Sequence, residues 1–181
     1  MSIALTLKPV AARGWRRPFA QILAALDVAA AWTIVALVAV MVVVVAAQVV
    51  LRYALNSSIG WADEVSRLMF VWSMFLAIPL GIKLGAHIGI EVLTARLPAA
   101  AQDLLARAVA LLGAALMGLV FYEAAVITWD QWDERMASVN ASAALFILGV
   151  AIGSAHSALH LLWIVLNGRP RADEDLAKDL A

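Results

Sequence analysis

The chain has 181 residues, 65% of them hydrophobic and only 14% charged, against about 45–50% and about 25% in an ordinary soluble domain. This excludes a soluble globular protein and points to an integral membrane protein. The formal net charge is zero and cysteine is absent, which excludes disulfides and thiolate chemistry.

Bilayer hydrocarbon is about 30 Å thick and a helix rises about 1.5 Å per residue, so each crossing takes about 20 apolar residues. The length accommodates about four crossings with short loops and no separate soluble domain. The predicted fold class is an all-α integral membrane protein. It has four transmembrane helices and a short interfacial helix between the second and third. Three regions are expected: a basic tail over 1–22, a four-helix membrane domain over 23–166 and a charged tail over 167–181.

The tail carries Lys8, Arg13, Arg16 and Arg17 and no acid, with Trp15 and Phe19 suited to the headgroup layer. Arg16-Arg17-Pro18-Phe19 ahead of an apolar run resembles a twin-arginine signal. The run is far longer than the ~7–15 residues of a signal core, and Gln48-Val49-Val50 is a poor cleavage context. An uncleaved first helix is therefore expected.

The first span covers about Leu23 to Leu51. Its run Val42-Val43-Val44-Val45 would read as a strand in water, but in lipid only a helix satisfies its own backbone groups. Asp27 lies near one end and Gln48 near the other, with Arg52 and Tyr53 at the interface. The second span covers about Val65 to Leu84. Asp63 and Glu64 open it at the positive end of the helix dipole. Pro79 inside it should kink it, and Lys83 lies at its far end. Ile88 to Leu97 is too short to cross. Ile90, Leu93 and Leu97 share a face with Glu91 and Arg96 turned away, as in an interfacial helix broken at Pro98. The third span covers about Leu104 to Trp129, with Glu123 near its end. A polar loop, Asp130 to Arg135, follows, with Trp129 and Trp132 as belt aromatics. The fourth span covers about Ala141 to Leu166 and stops at Asn167-Gly168-Arg169-Pro170.

Lys and Arg near the spans set the orientation. The two tails and the 83–107 loop carry ten, and the two other loops three (Arg52, Arg67, Arg135). Both termini are therefore expected in the cytoplasm, with short outer loops.

Arg52, Asn56, Trp61, Asp63, Glu64 and Arg67 would then gather at the outer surface. The plain reading is interfacial anchoring plus a helix cap. Arg67 lies in the first turn of a span, where a cation faces protein or snorkels to water. Glu64 and Arg67, three apart on one face, can pair, and Arg52 can join from the neighbouring helix end. The cations favour ionised, inert acids, so a catalytic carboxylate pair is not expected.

On the inner side Gly81, Gly85 and Gly89 recur every four residues. If helix persists they form a smooth packing stripe; if not, they make the turn. His87 sits there beside Lys83 and Glu91, as a hydrogen-bonding anchor rather than a ligand. Gly149, Gly153 and Ser157 form a second small-residue stripe, facing either the other helices or another subunit. His156 and His160 have metal-like spacing. A zinc or haem site needs further ligands, and the remaining histidine is His87. No catalytic, cofactor or metal site is expected. Spans one and three offer no mid-membrane acid, since Asp27 and Glu123 both fall near an interface. The absence of broken-helix features and of an inverted repeat also separates the chain from a self-sufficient ion-coupled transporter. The residues by themselves describe a four-helix, non-catalytic helper in a larger assembly.

The ordered set Arg52, Tyr53, Asn56, Trp61, Asp63, Glu64, Arg67, Trp72, Phe75, Lys83, His87, Ile88 and Glu91 resembles the small permease subunit of tripartite ATP-independent periplasmic (TRAP) transporters, the DctQ-like family. It spans about 40 residues. Departures are Ala77 where glycine is common, Lys83 for arginine and Glu91 for aspartate. The resemblance implies a bacterial inner-membrane protein that partners a large TRAP permease subunit and a periplasmic substrate-binding protein. It implies sodium-driven uptake of an organic acid, with this subunit as a fixed scaffold. It implies neither a cofactor nor enzymatic activity, and nucleic acid is not an expected partner. The competing expectations are a four-helix membrane haem protein and a small stand-alone exporter.

Overall fold

The computed structural model describes residues 17–84 and 98–168. Four helices account for most of them: α1 (Arg17–Ala54), α2 (Ala62–Lys83), α3 (Ala99–Asp130) and α4 (Ala144–Asn167). Each is long and apolar enough to cross a membrane. The fold is all-helical, and the described residues outside the helices contain a single isolated bridge, Arg135 to Ser142. The expected interfacial helix (Ile88 to Leu97), with Gly85, His87, Gly89, Glu91 and Arg96, lies outside the described residues.

The helices pack in the order α1, α2, α4, α3, with α1 meeting α4 only locally. The reason is visible along α1. Ala20, Leu23, Asp27 and Ala30 are buried, and Ile34, Leu37, Met41, Val44, Gln48 and Leu51 are half-buried. Their spacing alternates three and four without a break, which is the heptad seam of two helices crossing at a shallow angle. The other faces of α1 are exposed and almost wholly apolar, as suits lipid or another membrane protein. With 38 residues α1 is about 57 Å long at the helical rise, so it tilts or projects beyond the hydrocarbon.

The turn from α1 to α2 depends on Asn56, whose φ of 46° lies in the left-handed region that asparagine tolerates better than most side chains. The Leu51 carbonyl accepts from the Leu55 and Ser57 N–H groups and closes the helix end.

Helices α2 and α4 run parallel and very close. The Trp72 indole N–H donates to the Leu145 carbonyl at 2.8 Å. A methyl group added at Gly149 would stand 2.9 Å from the Trp72 ring, and one at Gly153 would stand 2.5 Å from the Phe75 carbonyl oxygen. Pro79 explains the second contact. Helix α2 continues through it, but proline has no N–H for the carbonyl four residues back, which is that of Phe75. Gly153 brings the α4 backbone against that carbonyl, the way a neighbouring helix compensates proline in a membrane. The small-residue stripe thus faces α2 of the same chain, and Ser157 beneath it donates to the Gly153 carbonyl at 2.8 Å.

Ile82, Ala110, Ala114 and Leu161 form a core joining α2, α3 and α4. Near the α4 terminus, the Arg107 guanidinium donates to Asp103 at 2.9 Å and to the Val165 carbonyl at 3.3 Å. Gly168 ends α4 with a φ of 76° and stands where a methyl group would lie 2.8 Å from the Asp103 carboxylate. Helix α4 begins at Ala144, three residues later than its span suggests. Ala141 to Ala143 are used to close the preceding loop, through Met136 N–H to the Ala141 carbonyl and Ala143 N–H to the Glu134 carbonyl, both 2.9 Å.

Candidate functional site

Asp27 is the centre of the principal polar site. It sits on the α1 seam, 1% exposed. Its Oδ2 accepts from the Lys83 ammonium at 2.8 Å. Its Oδ1 lies 3.1 Å from Nε2 of His156 and 2.7 Å from Nε2 of His160. Each partner is placed by its helix. Lys83 is the last residue of α2, where a cation suits the negative end of the helix dipole. His156 and His160 are one turn apart on α4, so both rings point the same way, with centroids 5.0 Å apart. One carboxylate therefore joins α1 to both α2 and α4.

The expectation places Asp27 near an interface without naming its surroundings; the structure adds that it is buried there among three partners. The seam supplies the missing signal: an acid at a heptad position must meet a neighbour, and a helix pair that buries a charge needs a cation or donor opposite it. Lys83 carries half a positive-negative pair and the two imidazole N–H groups complete the carboxylate. Such a pair adds little net stability over an apolar replacement, but losing one partner costs on the order of 3–5 kcal/mol in a buried setting. Its main effect is to fix which residues meet.

A second set of contacts lies at the opposite end of the bundle. Gln48 on the same seam donates to Asp63 at 3.1 Å, so the α1–α2 hairpin is held by a polar contact near each end. Glu64 accepts from the backbone N–H groups of Ala137 and Ser138 at 2.9 and 2.7 Å, and from the Ser138 hydroxyl. The α3–α4 loop is thereby fastened to the start of α2. The expected Glu64–Arg67 pairing does not occur among the described residues, because Glu64 is committed to the loop. Arg52, Trp61 and Arg67 are exposed, and Asn56 forms the turn. Of the outer group, then, Asp63 and Glu64 are brought into contacts, while the cations stand free of acidic partners in the described residues.

An apolar cleft of about 590 Å³ lies between α1 and α3, floored by α2 and α4. Leu26, Thr33, Leu76, Phe121, Ile152 and Leu159 are among its walls, and His156 reaches its edge. It offers no set of convergent polar groups of the kind that positions a polar substrate.

The structure is thus a four-helix membrane protein whose polar groups tie helix to helix. The family comparison gives its class: the chain belongs to the DctQ component of the tripartite ATP-independent periplasmic transporters, whose family model matches residues 41–169. It is 37% identical over 71 residues to a Haemophilus influenzae protein provisionally named a TRAP transporter small permease protein, covering 39% of this chain and 44% of that protein. It is 38% identical over 60 residues to the C4-dicarboxylate TRAP transporter small permease protein DctQ of Vibrio cholerae, covering 33% of this chain and 26% of that protein. The aligned stretches thus span less than half the length of either relative. Asp27 lies ahead of the matched residues, so the site at Lys83, His156 and His160 combines the family region with the start of α1.

Proposed function

We propose that this chain is the small membrane subunit of a sodium-driven, binding-protein-dependent transporter for an organic acid, serving as a rigid scaffold for a large permease subunit. The family membership carries this reading. The Vibrio relative's name favours C4-dicarboxylates among the organic acids. The packing supports the scaffold role, because every helix is fastened to a neighbour by a polar contact or a close glycine approach. The apolar outer faces of α1 and α3 are the surfaces offered to the large subunit. In this reading the protein is not an enzyme. It lies in the bacterial inner membrane with both termini cytoplasmic, and the Asp27–Lys83 end faces the cytoplasm. The haem alternative loses ground, since His156 and His160 project from one face of one helix toward one carboxylate, whereas axial haem ligands must approach from opposite sides.

The test is uptake of radiolabelled succinate in cells that carry the large subunit and binding protein with or without this chain. Uptake should be lost without it, and affinity capture of this chain should recover the large subunit. Unchanged sodium-dependent uptake in its absence overturns the proposal.

A further inference from the structure

We infer that Asp27, His156 and His160 form a binding site for one divalent transition-metal ion of the zinc type, with the Lys83 ammonium as the competing cation. The ligand atoms of the three residues all lie within 4.8 Å of one another, and all three side chains are buried. Two nitrogens and one carboxylate oxygen are a set that zinc, cobalt and nickel accept, and that the hard cations calcium and magnesium do not favour. The third ligand that the His156/His160 spacing lacks comes from another helix, as Asp27.

The dimensions suit the ion. Zinc bonds of about 2.0–2.1 Å in a tetrahedron place neighbouring ligand atoms about 3.4 Å apart. The two imidazole nitrogens already stand 3.1 and 2.7 Å from Asp27 Oδ1, so small outward rotations of the rings open the space. No proton need leave the protein. Each neutral imidazole moves its proton from Nε2 to Nδ1, which frees the Nε2 lone pair, and Asp27 already pairs with Lys83 as a carboxylate. The fourth position takes water, and the route for it is the Lys83 end. Lys83 is 13% exposed and is the last residue of α2, so its side chain can withdraw toward the interface when the ion arrives.

Lys83 also makes the inference specific. It supplies the positive charge that the buried carboxylate requires, and a divalent ion beside it would be repelled. Replacing Lys83 with a neutral residue should therefore tighten metal binding, which is the opposite of its effect on an ion-pair network. The site does not depend on the transport reading, and its test reads bound metal rather than uptake.

Untagged, full-length protein in lipid nanodiscs would be stripped with chelator and titrated with Co²⁺, followed by the visible absorption of the tetrahedral ion and by competition with Zn²⁺. One ion per chain is expected in the wild type. Lys83→Gln should bind about tenfold more tightly or better, a change of about 1.4 kcal/mol. His156→Gln and His160→Gln, checked for an unchanged helical spectrum, should each lose the cobalt absorption. Absence of stoichiometric Co²⁺ binding in both the wild type and Lys83→Gln overturns the site. So does binding that survives His160→Gln, and so does weaker binding in Lys83→Gln.

Discussion

Glu64 and Arg67 sit one helical turn apart on α2, and their charges invite a pair. The structure separates them because Glu64 faces two backbone N–H groups presented together by the α3–α4 loop, at Ala137 and Ser138. Adjacent N–H groups and a hydroxyl converging on one carboxylate outcompete an exposed guanidinium, whose pairing with a neighbour is worth only a few tenths of a kcal/mol. The Ser138 contacts and the backbone groups hold the Glu64 side chain in place, and the loop is fixed at the same time. Glu64→Ala should therefore release the loop over 131–143 and raise its rate of cleavage by an added protease several-fold. Arg67→Ala should leave that rate unchanged. Limited proteolysis of the protein in nanodiscs, with the fragments identified by mass, distinguishes the two, and equal rates would show that the loop is held by something else. Asp63 behaves as a sequence reading expects, at a helix start, and adds the Gln48 contact that only the folded seam reveals.

The helices themselves were legible because lipid leaves little choice: long apolar stretches must be helical there, and charge clusters mark where they stop. Which faces meet was less legible. The Gly149–Gly153–Ser157 stripe is plain in the sequence, and so is Pro79, but their connection is not. It depends on α2 and α4 running parallel at a register that sets Gly153 against Phe75, and neighbours in space so far apart in the chain leave no local pattern. The α1 seam, by contrast, is written in the spacing of Ala20 through Leu51, and its two polar members, Asp27 and Gln48, point to where partners must stand. The close approach gives a direct measurement. Gly153→Ala places a methyl group against the Phe75 backbone carbonyl, which cannot swing away as a side-chain tip could. Overpacking of this kind costs about 1–3 kcal/mol. Gly118→Ala on α3 meets nothing within 4 Å and should be neutral or gain up to about 1 kcal/mol from helix propensity. Thermal unfolding in detergent should lower the midpoint for the first and hold or raise it for the second. A Gly153→Ala protein as stable as the wild type would mean that α2 and α4 separate more easily than this packing implies.

At the scale of the whole molecule, most polar contacts between helices gather toward the two ends, with the Trp72–Leu145 contact between them. Asp27, Lys83, Asp103 and Arg107 lie toward one surface, and Gln48, Asp63, Glu64 and the 131–143 loop toward the other. This distribution is what a bundle fixed at both membrane surfaces requires, since hydrogen bonds are the devices that specify helix pairing where lipid removes the hydrophobic drive. In the proposed orientation, the excess of Lys and Arg marks the first end as the cytoplasmic one. The absence of cysteine makes the assignment directly measurable, because the wild type supplies no background thiol. Ser58→Cys in the α1–α2 turn and Asp133→Cys in the α3–α4 loop are exposed positions at one end. Leu84→Cys, just past the α2 terminus, is exposed at the other. A membrane-impermeant maleimide added to intact spheroplasts should label the first two to near completion and leave Leu84→Cys unlabelled until the cells are opened. The reverse pattern would invert the topology and move the Asp27–Lys83 site to the periplasmic surface. Partial labelling at all three would mean that the chain inserts in both directions, which a ten-to-three bias in basic residues argues against.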